Sequence, residues 1–137
     1  SADGSRMSTL LAGTDAPETS ERLCDYLETR LSSGDDVHVL NSLPGGNDEE
    51  LVEDGREALA VFEDRLGDRV TVETYQNTSE SDPAHDLLTR GDEHGVDEIV
   101  IGLSQKRSPA QKVVFGSITQ SVLMQTNRPV VGVPLPD

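Results

Sequence analysis

A chain of 137 residues has room for one domain with a single core, and none for two catalytic domains. Its 26 acidic against 11 basic side chains set a formal charge of -15, which repels nucleic acid and anionic membranes at long range. No apolar run approaches the roughly 20 residues of a membrane span, and one cysteine, Cys24, can form neither an internal disulfide nor a four-ligand zinc site, so the expected setting is cytoplasmic.

Thr9-Leu10-Leu11-Ala12-Gly13 is too short for a helix and runs into the turn formers Thr14, Asp15, Ala16 and Pro17, which predicts a buried strand. From Pro17 to Leu31 an apolar stripe recurs at Leu23, Leu27 and Leu31 with Glu21, Arg22, Asp25 and Glu28 turned outward, the pattern of an amphipathic helix ending at Ser32-Ser33-Gly34. Cys24 lies beside that stripe with no cation at i+4 or i-3, and reads as a packed thiol. Val37-His38-Val39-Leu40 predicts a second strand, closed by the loop Asn41 to Asn47 with its Pro44-Gly45-Gly46. Leu51, Ala58, Leu59, Phe62 and Leu66 are spaced for a long second helix, with Asp48, Glu49 and Glu50 at its positive end and Gly67 as its stop. Gly55 weakens the middle of that helix.

Val70 to Tyr75 alternates and is rich in β-branched residues, a third strand, and Gln76 to Ser81 is a loop. Asp82-Pro83 fits an N-cap followed by a first helical proline, opening a third helix with Ala84, Leu87 and Leu88 apolar and an end near Gly95. Glu98-Ile99-Val100-Ile101-Gly102 is a continuous run that suits a strand covered on both faces. Ser117 to Thr126 returns to helix with Ile118, Val122 and Leu123 on one side, and Val130 to Val133 is the last strand. The order β-α-β-α-β-α-β-α-β predicts an α/β fold, a five-stranded parallel doubly wound sheet flanked by four helices. Ligands of such sheets sit at the carboxyl ends of the strands near the switch of strand order, which makes three turns the candidates: Gly13 to Pro17, Leu40 to Asn47 and Leu103 to Ser117. Residues 1–6 precede Met7 and are set aside as a leader or appended remnant, leaving 7–137 as the domain.

Charge is unevenly placed along this chain. Residues 1–102 hold 25 acidic and 7 basic side chains, whereas residues 103–137 hold Lys106, Arg107, Lys112, Arg128 and one acid, Asp137. Two readings stay open: an anion is tolerated there, or charge is excluded from a surface helix or subunit contact. With two lysines in all and aromatics at 3%, the composition is that expected of a halophile's cytosolic protein. Neither a Walker loop nor G-x-G-x-x-G is present. After Gly102 comes a polar, basic connection, Leu103 to Lys112, and then Val113-Val114-Phe115-Gly116-Ser117 opening a helix. A phosphate suits that geometry, because a glycine admits close approach, first-turn N–H groups face the anion and a serine adds a donor. A plain helix cap is the other reading. His38 lies in a strand, and His85 and His94 on the third helix. No Ser-His-Asp or Cys-His arrangement emerges, so catalysis is not expected.

Four segments together resemble the universal stress protein family over nearly the whole chain from Met7: Leu10 to Asp15; Val37-His38-Val39; Pro83-Ala84 with Gly95 to Gly102; and Gly116-Ser117-Ile118 with Val122-Leu123 leading to Arg128 to Val133. The resemblance implies a Rossmann-like, adenine nucleotide alpha hydrolase-like fold. It also implies ATP as ligand, with Mg2+ bridging its phosphates, and a stress-response role as a nucleotide-dependent switch. Carried over position by position, Asp15 and the backbone of Val39 would meet adenine or ribose, and Gly102, Ser104, Gly116, Ser117 and Ile118 would line the phosphates. The strand Val130 to Val133 would lie at a sheet edge and pair with its copy in a homodimer. The family pattern is glycine, two residues, glycine, nine residues, then glycine with serine or threonine. Here Gln105 stands at the second glycine and Gly102 to Gly116 is one residue longer than the pattern allows. The Ser108-Pro109 pair with Lys112 offers a substitute anion site. A dimeric interaction module without nucleotide is the alternative function, and a slow phosphotransferase or ATP hydrolase a third.

Overall fold

Five parallel strands, β1 (Thr9–Gly13), β2 (Asp36–Ser42), β3 (Thr71–Asn77), β4 (Glu98–Leu103) and β7 (Val130–Pro134), form one sheet in the order β3-β2-β1-β4-β7. A two-residue antiparallel pair, β5 (Lys106–Arg107) and β6 (Val113–Val114), stands apart from it. The computed structural model describes residues 7–43, 48–78, 82–104, 106–107, 113–114 and 116–136. Residues 1–6, the turn Pro44-Gly45-Gly46, Gln105 and the Ser108 to Lys112 segment lie outside the described residues.

Strand side chains alternate between the two faces, and each face has its own pair of helices. Leu10, Ala12, Val37, Val39 and Val100 pack against Leu23, Cys24 and Leu27 of α1 (Pro17–Arg30) and Ala58, Leu59, Phe62 and Leu66 of α2 (Glu49–Leu66). On the opposite face Leu11, Leu40, Ile99 and Ile101 meet Ala84 and Leu87 of α3 (Pro83–His94) and Val122 of α4 (Ser117–Gln125). Each such aliphatic side chain, fully buried, contributes about 1.5–3 kcal/mol. The helix ends follow from chemistry visible in the sequence. Asp48 Oδ1 accepts from the Glu50 N–H at 2.9 Å, Asp82 Oδ1 accepts from the Ala84 N–H at 3.1 Å, and Gly95 closes α3 with φ 57°, a conformation that favours glycine.

Several sequence expectations are corrected: β2 runs on through Asn41 and Ser42 and β3 through Gln76 and Asn77, residues expected in loops. The stretch from Leu103 to Ser117, taken as an unbroken connection, contains the β5–β6 pair. Gly55, counted as a weak point of α2, is buried where a Cβ would collide with the side chains of Asn41 and Gln76, so the close approach demands glycine. In α4 the buried residues are Thr119 and Val122, while Ile118 and Leu123 stay 44% and 50% exposed, because α4 reaches the core through the narrow face it turns toward α3. Met124 is more exposed still.

Candidate functional site

From β1 the chain winds outward through β2 to β3 and then crosses back to β4, which puts the switch of strand order between β1 and β4. A cleft of about 330 Å³ opens there, at the carboxyl ends of the strands, within the size range of small-molecule sites. All three candidate turns contribute. Gly13, Thr14 and Asp15 come from the first, Leu40 and Ser42 from the second, and Ser104, Gly116 and Ser117 from the third.

The floor is held by a buried polar network. Thr14 N–H donates to the Leu40 carbonyl at 3.0 Å, and Asn41, fully buried, donates through Nδ2 to the Thr14 carbonyl at 3.0 Å. Gln76 Nε2 donates to Asn41 Oδ1 at 3.1 Å and to the Val52 carbonyl at 2.9 Å. Ser20 lies within 2.7 Å of Thr14 Oγ1 and donates to the Ala58 carbonyl at 2.7 Å. These bonds tie the β1–α1 turn to β2, β3 and α2, so the lip carrying Asp15 is set by three elements. Asp15 itself is exposed and accepts from Thr19 Oγ1 at 2.6 Å. The opposite lip is positioned by Ser42, whose hydroxyl donates to Asp86 of α3 at 2.6 Å.

Asp15 is the one carboxylate among the described lining residues, and no lysine or arginine lines the cleft among them. Hydroxyls are plentiful, on Thr14, Thr19, Ser42, Ser104, Ser117 and Thr119. Gly116 is the N-cap of α4 and offers no side-chain cap, and the first turn of the helix, Ser117 to Thr119, lines this mouth. A Cβ added at Gly116 would meet nothing within 4 Å, and its φ of -66° is open to any residue. Neither packing nor conformation requires glycine there. Its bareness leaves room for a guest, and the hydroxyls and first-turn amides can hold an anion by short hydrogen bonds.

Of the seven residues that the resemblance singles out, the cleft brings together Asp15, Gly102, Ser104, Gly116, Ser117 and Ile118. Val39 is not among its lining. It is fully buried in mid-strand, in register with Ala12 and Thr74, and belongs to the α1–α2 core, whereas Leu40, one residue on, faces the cleft side. Arg128, one of the four bases near the carboxyl end, lies before β7, at the end of the sheet away from the cleft. It donates to the Val96 carbonyl at 2.6 Å and to Asp92 at 3.2 Å. Leu135, Leu87 and Ser42 also line the cleft, and only Ser42 fell within a turn the sequence had marked. Cys24 is buried in the core, which pushes its thiol up to about 12, so it is no nucleophile. Among the described residues no group of three or more His, Cys, Asp or Glu is placed to hold a metal.

The strand order and the cleft at its switch point define a doubly wound α/β domain of the nucleotide-fold class. The chain belongs to the universal stress protein family, whose model matches residues 7–134. A universal stress protein from Archaeoglobus fulgidus is 28% identical with a TM-score of 0.65, over 94% of this chain and 99% of that one. The structural-genomics protein MJ0577 superposes with a TM-score of 0.73 at 18% identity, over 95% and 97% of the two chains. An Archaeoglobus fulgidus universal stress protein in complex with dAMP is 24% identical with a TM-score of 0.62, over 93% and 98%. No curated protein matches the chain significantly. No helix among the described residues is long and apolar enough to cross a membrane.

Proposed function

We propose that this universal stress protein binds an adenine nucleotide in the switch-point cleft and uses it as a ligand or switch rather than as a substrate. The observation that carries this is the α4 terminus, where bare Gly116 with no side-chain cap and Ser117 line the same cleft as Asp15. The family member solved with dAMP supports the ligand class. The residues present fit such a group: the cleft volume is adequate, the amides of the Ser117 turn and the hydroxyls of Ser104, Ser117 and Thr119 would take phosphate oxygens, and Asp15 would take ribose or base. Bound ATP would bring its own Mg2+. In molar KCl calorimetry should give a dissociation constant for MgATP below about 100 μM, about -5.5 kcal/mol. Ser117→Ala should weaken it roughly tenfold. No heat at millimolar ligand overturns the reading.

The alternative, a dimeric interaction module without nucleotide, draws on the extra residue between Gly102 and Gly116 and on Gln105. Both readings share a cytoplasmic, salt-adapted homodimer. Among the described residues β7 pairs with β4 on one side alone, and an open edge of that kind suits a second copy of Val130 to Val133. Sedimentation in molar KCl should show a dimer, and a monomer at tens of micromolar protein overturns it.

A further inference from the structure

Past β7 the chain stays on the sheet. Leu135 N–H donates to the Leu103 carbonyl at 2.9 Å, one step beyond the Leu103–Pro134 pair. That bond lays the Leu135 isobutyl group over Gly102 of the neighbouring strand. A Cβ on Gly102 would stand 2.8 Å from Leu135 Cδ1, 3.0 Å from Cδ2 and 3.1 Å from Cγ. Gly102 is not one of the positive-φ glycines, so its missing side chain makes room for Leu135. Leu135 is half-buried and lines the cleft together with Gly102. Gly116, on the other wall, has nothing within 4 Å. Two glycines that the family pattern treats alike are thus unlike here: one is roofed by hydrocarbon and the other is open.

Hydrocarbon offers a phosphate oxygen no hydrogen bond, and pressing the anion against it strips water without replacement. A short phosphate chain would need Gly116 and Ser117 alone, and a longer one that ran toward Gly102 would meet the wall that Leu135 covers. We propose that Leu135 is a specificity-determining residue of the cleft, which discriminates nucleotides by the length of their phosphate chain and disfavours the triphosphate relative to the monophosphate. This rests on the nucleotide reading above.

The test is calorimetry of the full chain in molar KCl with AMP and with ATP, each with Mg2+, on the native protein, Leu135→Ala and Leu135→Met. The ATP-to-AMP affinity ratio is expected to rise at least tenfold in L135A and to stay within about twofold in L135M, which keeps the cover. Should L135A not fold, Leu135→Val withdraws the two δ-carbons and should shift the ratio in the same direction by a smaller factor. An unchanged ratio with both nucleotides bound overturns the role of Leu135 and leaves the nucleotide reading intact. If the native chain binds neither nucleotide, the nucleotide reading falls, and the discrimination assigned to Leu135 falls with it even where the opened variant binds ATP. If no form binds either nucleotide, both fall.

Discussion

Asn41, wholly buried at the end of β2, spends its amide nitrogen on the Thr14 carbonyl and its oxygen on Gln76, and the α2 backbone comes close enough at Gly55 to touch that pair. Gly→Ala inside a helix ordinarily gains about 0.5–1 kcal/mol. At Gly55 the new methyl would break the Asn41–Gln76 bond and strand buried polar atoms, so Gly55→Ala should instead cost about 1–3 kcal/mol in urea unfolding. His38 shows a second case of distant residues deciding a side chain's state. Its ring stacks on His94 with centroids 3.9 Å apart, and its Nδ1 lies 2.8 Å from Tyr75 Oη, which donates to Glu73 at 2.8 Å. Burial, then the neighbouring His94, holds the His38 pKa below its ordinary value, against the pull of Glu73 and Asp36, while Arg90 adds to the depression. Above about 6.5 the ring is neutral folded or unfolded. As pH falls below that value the unfolded chain takes the proton first, so stability drops until the depressed folded pKa is reached and then levels. The melting temperature should therefore decline from pH 7.5 toward 5.5, and His38→Gln, which retains a partner for Tyr75, should decline less. That His38 lies in a strand was legible from sequence. The ring it packs on was not, because His94 arrives on α3 from the far side of two chain crossings.

The outward acidic side of α1 reads in sequence as a solvated face, yet much of it converges on one arginine of α2. Arg65 donates to Glu28 at 2.7 Å, to Asp25 at 2.9 Å and to Glu21 at 2.9 Å. Its bond to Glu28, followed by those to Asp25 and Glu21, keeps the guanidinium protonated at any working pH. Partly exposed pairs contribute little singly, but removing the shared cation leaves three carboxylates on neighbouring turns facing one another. Arg65→Met should cost about 1 kcal/mol in dilute buffer, and less in molar KCl, where repulsion among the orphaned acids is screened. Urea titrations at two salt concentrations check both parts. The helices themselves needed no such help to be found, since the Leu23-Leu27-Leu31 stripe, the aspartate caps and Gly95 are local signals. Their partners across the interface lie some 40 residues away and leave no local trace.

A net charge of -15 spread over 137 residues makes the folded state repel itself, and arginines such as Arg65 and Arg128 are engaged in local contacts. Raising KCl from 0.1 M to 1 M shortens the Debye length from about 10 Å to about 3 Å. The melting temperature should rise across that range, and a melt indifferent to salt would remove the self-repulsion account. What the amino-acid order determined unaided was the succession of the five sheet strands and four helices, though not the short β5–β6 pair, because burial leaves periodic apolar spacing and turns leave Gly, Pro and Asp within a few residues of their effect. Only the tertiary structure decided the strand order, the meeting of the three turns in one cleft, and the roofing of Gly102 by Leu135. Each of these turns on which face or neighbour meets a residue from elsewhere in the chain.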